Sequence, residues 1–243
     1  MTSLTRSQNL PPSSTSVPPG LDHIVLATPH LDATVERFAE LTGVEPAFGG
    51  RHASGGTANY LVSFGSDRYL EIIGLAGPGA DADPRRPAEP PFGLGELSVP
   101  RVVTWAIHVD DLDAAVAEAR AAGYDPGDAW ELARTTPAGE RLEWRLTPAL
   151  REASGVVPFL IGWGGARHPS SAPGVPELEL VALHAEVGDG HATASAGRSL
   201  AALDAGLEVR AAAPAEAPAS LVFDVIARDG APRSFTPTLV ATL

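Results

Sequence analysis

The chain repeats itself. The segment TWAIHVDDLDAAVAEARAAGY, from Thr104, overlays HIVLATPHLDATVERFAELTGV, from His23, so that Leu112-Asp113-Ala114 falls on Leu31-Asp32-Ala33 and Gly123 falls on Gly43. A period of about 80 residues is too long for a solenoid unit and suits a duplicated supersecondary module. Within the first copy, LDHIVLAT (21–28) reads as a buried strand. Leu31, Val35, Phe38 and Leu41 then recur at helical spacing before Gly43, a helix stop. TANYLVSF (57–64) and RYLEIIGL (68–75) read as further strands joined by Gly65-Ser66-Asp67. The second copy places strands at RLEWRLTP (141–148) and VPFLIGW (157–163). A weaker third echo begins at ELELVALHAEV (177–187), with a helix through Ser195–Ala205 and strands near 219–228 and 234–243.

The expected organisation is a disordered Ser/Thr/Pro-rich tail (1–19), a first module (20–76), a Gly/Pro-rich linker or surface loop (77–100), a second module (101–165) and a third (166–243). The third either extends the sheet or takes the place of a dimer partner, leaving monomer and homodimer both open. Composition narrows the chemistry. The chain has no Cys and no Lys, so all 17 basic residues are Arg. Thiolate nucleophiles, Cys-ligated metals, Schiff-base chemistry and a phosphate-loop lysine are excluded. A net charge of −13 opposes nucleic acid and anionic membranes as partners. No dinucleotide fingerprint appears, so no nucleotide cofactor is expected. The opening residues carry no apolar signal core, and a cytoplasmic protein is the expectation.

LDHIVLAT at the head of a βαβββ module, the stretches Gly49-Gly50-Arg51-His52 and Gly56-Thr57-Ala58-Asn59, and Tyr69-Leu70-Glu71-Ile72-Ile73 on the last strand together resemble the vicinal-oxygen-chelate superfamily, in particular its glyoxalase-like branch. The resemblance implies an α+β fold in which repeated βαβββ modules form a cupped mixed sheet with helices outside. It also implies a divalent metal held by a residue on each first strand and a carboxylate on each last strand.

Strand parity gives the resemblance residues to act on. Ile24 and Leu26 suit the helix side of the first strand, which turns His23 inward; Leu70 and Ile72 do the same for Glu71 and Tyr69. His23 and Glu71 are then either ligands of iron(II), manganese or zinc, or a hydrogen-bonded pair in a polar cavity. His52 is the expected third ligand or general base, with Glu71 sharing the catalytic role; each loop histidine is otherwise simply solvated. In the second module Thr104 and Ile161 occupy the places of His23 and Glu71, and neither is a useful ligand. For substrate binding, the same parity turns Arg145, Phe159 and Trp163 towards the cavity, with Asn59 from the first module and His168 just beyond the second. Such a pocket suits a small organic molecule bearing a carboxylate or enolate. Two functions follow: a metal-dependent lyase, isomerase or dioxygenase on a small oxygenated substrate, or a metal-free binding or sequestration protein with the same cup.

Overall fold

The computed structural model describes residues 16–52, 56–76, 90–136, 139–149, 155–188, 191–213 and 217–243. Most of the expected tail, the centre of the Gly-rich loop and residues 77–89 of the expected linker lie outside them. The first module runs β1 (Leu21–Ala27), α1 (Leu31–Thr42), β2 (Ala47–His52), β3 (Thr57–Gly65) and β4 (Arg68–Leu75). The second runs β5 (Arg101–His108), α2 (Leu112–Ala121), β6 (Trp130–Thr135), β7 (Arg141–Leu146) and β8 (Phe159–Gly162). Gly43 ends α1 in the left-handed conformation, its N–H bonded to the Ala39 carbonyl. The Asp111 carboxylate caps α2 by accepting from the Ala114 N–H at 3.0 Å.

The eight strands close into a barrel in the order β1-β4-β3-β2-β6-β7-β8-β5. Each module contributes a four-strand arc. The arcs join where β1 pairs antiparallel with β5 and where β2 meets β6 through Arg51↔Thr135 and His52↔Arg134. The second seam depends on two glycines. β2 bulges between Phe48 and Gly50, and a Cβ on Gly49 would collide with the Asn59 side chain, while one on Gly50 would collide with the Thr135 carbonyl. Gly50 also has φ +134°, which side chains disfavour. The Gly pair that reads as loop in the sequence is therefore part of a strand, and His52 stands at its end.

Parity divides the barrel into two apolar clusters. Val25, Leu61, Tyr69, Ile73, Ala106 and Phe159 face inward. Ile24, Leu26, Leu70, Ile72 and Trp105 face outward into a second core shared with the rest of the chain. That remainder is β9 (Glu179–Val187), α3 (His191–Ala202), β10 (Glu208–Ala211), β11 (Ser220–Ile226), β12 (Pro232–Phe235) and α4 (Pro237–Val240). It forms a separate sheet ordered β10-β9-β11-β12. Its β10 lies parallel and next to β9, whereas β2 lies farthest from β1 within its own arc. Phe235 stacks on Phe38 of α1 at 5.3 Å and on Phe223 at 4.5 Å, sealing this sheet to the outside of the first module. The strand expected over 234–243 stops at Phe235, because Thr236 caps a short helix begun by Pro237. Ser16, inside the stretch read as tail, bridges to Ala182. In the stretch read as linker, Phe92 packs towards Phe159 and Leu94 is buried.

Gly50→Ala should lower unfolding free energy by about 2–3 kcal/mol, from strain and the Thr135 clash. Urea unfolding measures this, and a change under about 0.5 kcal/mol would contradict the role given to the β2–β6 seam.

Candidate active site

The barrel encloses a cavity of about 280 Å³. Its walls are chemically unequal. His23 (β1), Tyr69 and Glu71 (β4), Asn59 (β3), His52 (β2) and Arg134 (β6) line one side; Trp144 and Leu146 (β7), Phe159 and Ile161 (β8) and Trp163 line the other. The first module thus supplies nearly all the polar wall and the second the apolar one.

His23 is held from behind by Asp22. The β1–β5 register slips between Leu21 and His23, so Asp22 is the extra residue of a bulge, and a bulge re-aims side chains. The carboxylate is fully buried. Oδ1 accepts from His23 Nδ1 at 2.6 Å, and Oδ2 accepts from Trp163 Nε1 at 2.8 Å, His168 Nε2 at 3.2 Å and His108 Nδ1 at 3.2 Å. Burial alone would raise its pKa. The hydrogen bonds from His108, His168 and His23 outweigh burial and hold Asp22 far below the usual carboxylate range. An ionised carboxylate only accepts, so the neutral form of the His23 ring donates from Nδ1 and has its bare nitrogen at Nε2. The ring stacks on Tyr69 at 4.7 Å and meets the edge of Phe159 at 5.4 Å, which sets its plane.

On the neighbouring strands, Asn59 Nδ2 donates to Glu71 Oε1 at 2.6 Å, and His52 Nε2 lies 3.8 Å from the same oxygen. His52 Nδ1 meets Thr57 Oγ1 at 2.9 Å. Burial lowers the His52 pKa; Glu71 opposes this and Arg134 adds to it, so the ring is neutral at neutral pH. Tyr69 is pushed well above its ordinary value by burial and by the Asp22 and Glu71 charges, which keeps its hydroxyl protonated. Arg134 is only 4% exposed.

His23, Glu71, Asn59, His52, Phe159 and Trp163 thus share one cavity. Arg145 does not. It stands on the outside of β7 in a two-pronged pair with Asp113 of α2, both bonds at 2.9 Å. The parity expected of β7 is reversed: Trp144, not Arg145, turns inward. His168 sits behind the cavity wall, buried against Asp22, Tyr69 and Trp163. The sequence reading missed Asp22, Arg134 and the role of His108. For Arg134 a signal was present, because Trp130, Leu132 and Arg134 alternate with Glu131, Ala133 and Thr135 along β6.

The residues present do not fit the implied metal. His23, His52 and Glu71 are suitable donor types, yet among the described residues no three His, Asp or Glu side chains converge to hold an ion. Asp22 has spent its acceptor capacity on four donors and is not itself a candidate ligand. The buried Arg134 guanidinium, close enough to Glu71 and His52 to act on both, opposes a second cation there. Among the described residues His23, Glu71 and His52 therefore line one cavity without forming the three-ligand cluster that was expected.

Paired βαβββ modules closed around a ligand-sized cavity define a vicinal-oxygen-chelate fold. The chain belongs to the glyoxalase-like domain family, whose model matches residues 21–201. Among solved structures it resembles a hypothetical protein from Staphylococcus aureus, with 17% identity, TM-score 0.43 and coverage of 59% of this chain and 57% of that one. Methylmalonyl-CoA epimerase from Mycobacterium tuberculosis is similar at 22% identity and TM-score 0.38, over 61% of this chain and 91% of the epimerase. A fusion of a xylose isomerase-like TIM barrel with 4-hydroxyphenylpyruvate dioxygenase shares 15% identity at TM-score 0.41, over 93% of this chain and 33% of the fusion. These likenesses are distant, and no activity is carried over from them. No curated protein matches the sequence. Among the described residues no helix is long and apolar enough to cross a membrane.

Two opposite pH effects follow from the Asp22 cluster. Asp22 has a depressed pKa in the folded protein, so its contribution is fully present above the unfolded value near 3.9 and fades as pH falls. His108 is raised, chiefly by its hydrogen bond to Asp22; its contribution is present below about 6.5 and fades as pH rises through the folded value. Asp22→Asn should cost about 3 kcal/mol and return the His108 titration, followed by NMR, towards its ordinary midpoint. A His108 midpoint unmoved by the substitution would contradict the assigned contact.

Proposed function

We propose that this chain is a proton-transfer enzyme of the isomerase or lyase type, acting on a small oxygenated organic molecule held inside the barrel and routing no step through a metal ion. One observation carries the reading. His23 offers a bare Nε2 to the cavity while its Nδ1–H is tied to a buried, ionised carboxylate. An imidazole oriented in this way is a general base whose tautomer is set in advance.

The chemistry that suits it is removal of a proton from a carbon beside a carbonyl. His23 Nε2 takes the proton, and the Tyr69 hydroxyl, kept protonated by its surroundings, donates a hydrogen bond to the enolate oxygen. The proton returns to the same carbon or to its neighbour, or a leaving group departs. Neutral His52, beside Glu71, is a second group able to pass a proton on that side of the cavity. Ring-cleaving dioxygenase chemistry finds less support, since it needs a redox metal and the candidate donors do not converge on one point among the described residues. Metal-free binding or sequestration is the second reading. It is favoured by the Asn59–Glu71 bond, which satisfies internally the carboxylate that a catalytic role would leave available.

Proton abstraction can be read without knowing the substrate. Incubated in deuterium oxide with cavity-sized hydroxyketones and oxoacids, the protein should promote exchange of a C–H proton in at least one of them, followed by proton NMR. His23→Asn should reduce that exchange by about 10²–10⁴-fold while keeping the circular dichroism of the parent. Saturable binding of these compounds with no exchange in any would favour the sequestration reading instead.

A further inference from the structure

Arg134 presents a cation with no partner among the described residues. It is 4% exposed, lies across from His52 at the β2–β6 seam and lines the cavity. Its guanidinium makes no hydrogen bond or ion pair with any described residue; Tyr69 and Glu71 act on it only through their charges. Glu71 Oε1 is already taken by the Asn59 amide. Guanidinium stays charged in proteins and carries five N–H donors in a planar fork. Burying such a group without acceptors is costly, and the cavity is the direction from which acceptors can come.

The geometry points to Arg134 as the anchor for a monoanionic carboxylate carried by an apolar, cavity-sized body. This rests on the cavity being the ligand site, as proposed above, and names the ligand class. A planar carboxylate matches the fork through two parallel hydrogen bonds. Trp144 on the adjoining strand β7, with Phe159 and Ile161 on β8 beyond it, suits an aromatic or branched aliphatic remainder. The charge should be single: one guanidinium faces the ligand, so a phosphate dianion would leave one charge uncompensated in a buried site. Arg145, the guanidinium that strand parity first indicated, is committed to Asp113 and plays no part.

Trp130, Trp144 and Trp163 line the cavity, so their fluorescence reports occupancy. Benzoate and phenylacetate are titrated against benzamide and phenylacetamide, which have the same shape without the charge. The expected result is at least tenfold tighter binding of each acid than of its amide. Arg134→Gln should erase that preference and Arg134→Lys restore part of it. Equal binding of acid and amide by the parent protein overturns the proposal whatever the variants do. So does an Arg134→Gln protein with parent-like circular dichroism that still prefers the acids. An acid preference without any deuterium exchange would sustain this inference while removing the enzymatic reading; exchange confined to neutral ketones, with no acid preference, would do the reverse.

Discussion

A carboxylate with no access to water organises this molecule's interior. Stripping an ionised group of its hydration costs several kcal/mol unless its lone pairs are met, and Asp22 meets that demand with four donors drawn from β1, β5 and the segment after β8. The bulge in β1 makes the gathering possible, because a regular strand would send Asp22 and His23 to opposite faces. Since the acceptor sites are saturated, each donor is tied to one orientation. For His23 that orientation leaves a basic nitrogen on the cavity side. His108 links the same carboxylate to the surface, with Asp110 3.6 Å beyond it.

The two modules have kept one architecture and divided the interior between them. Near the places where the first carries His23 and Glu71, the second offers Thr104 and Ile161, and its other inward residues are Trp144, Leu146 and Phe159. The cavity therefore has one hydrogen-bonding wall and one aromatic wall.

How far the sequence shows this depends on which forces act locally. The inward faces of β1 and β4 are legible because a helix covers their outer side and demands apolar residues there, leaving His23, Tyr69 and Glu71 for the interior. The same reasoning misplaces Arg145. On β7 the interior is the apolar environment and claims Trp144, while Arg145 finds an exposed partner in Asp113 on α2. β2 is hidden because its glycines, which read as loop, serve a seam whose partner strand lies some eighty residues away. Asp22 escapes notice since a bulge leaves no mark in periodicity; it shows only once β5 is paired alongside.

The nitrogen that His23 presents to the cavity is directly observable. Long-range proton–nitrogen NMR on uniformly labelled protein distinguishes the two tautomers of the neutral ring. The arrangement described here requires hydrogen on Nδ1 and a bare Nε2, with the Nδ1 proton shifted far downfield by the 2.6 Å contact to Asp22. Hydrogen found on Nε2 would mean that Asp22 does not orient the imidazole, and the proposed base would be facing the wrong way.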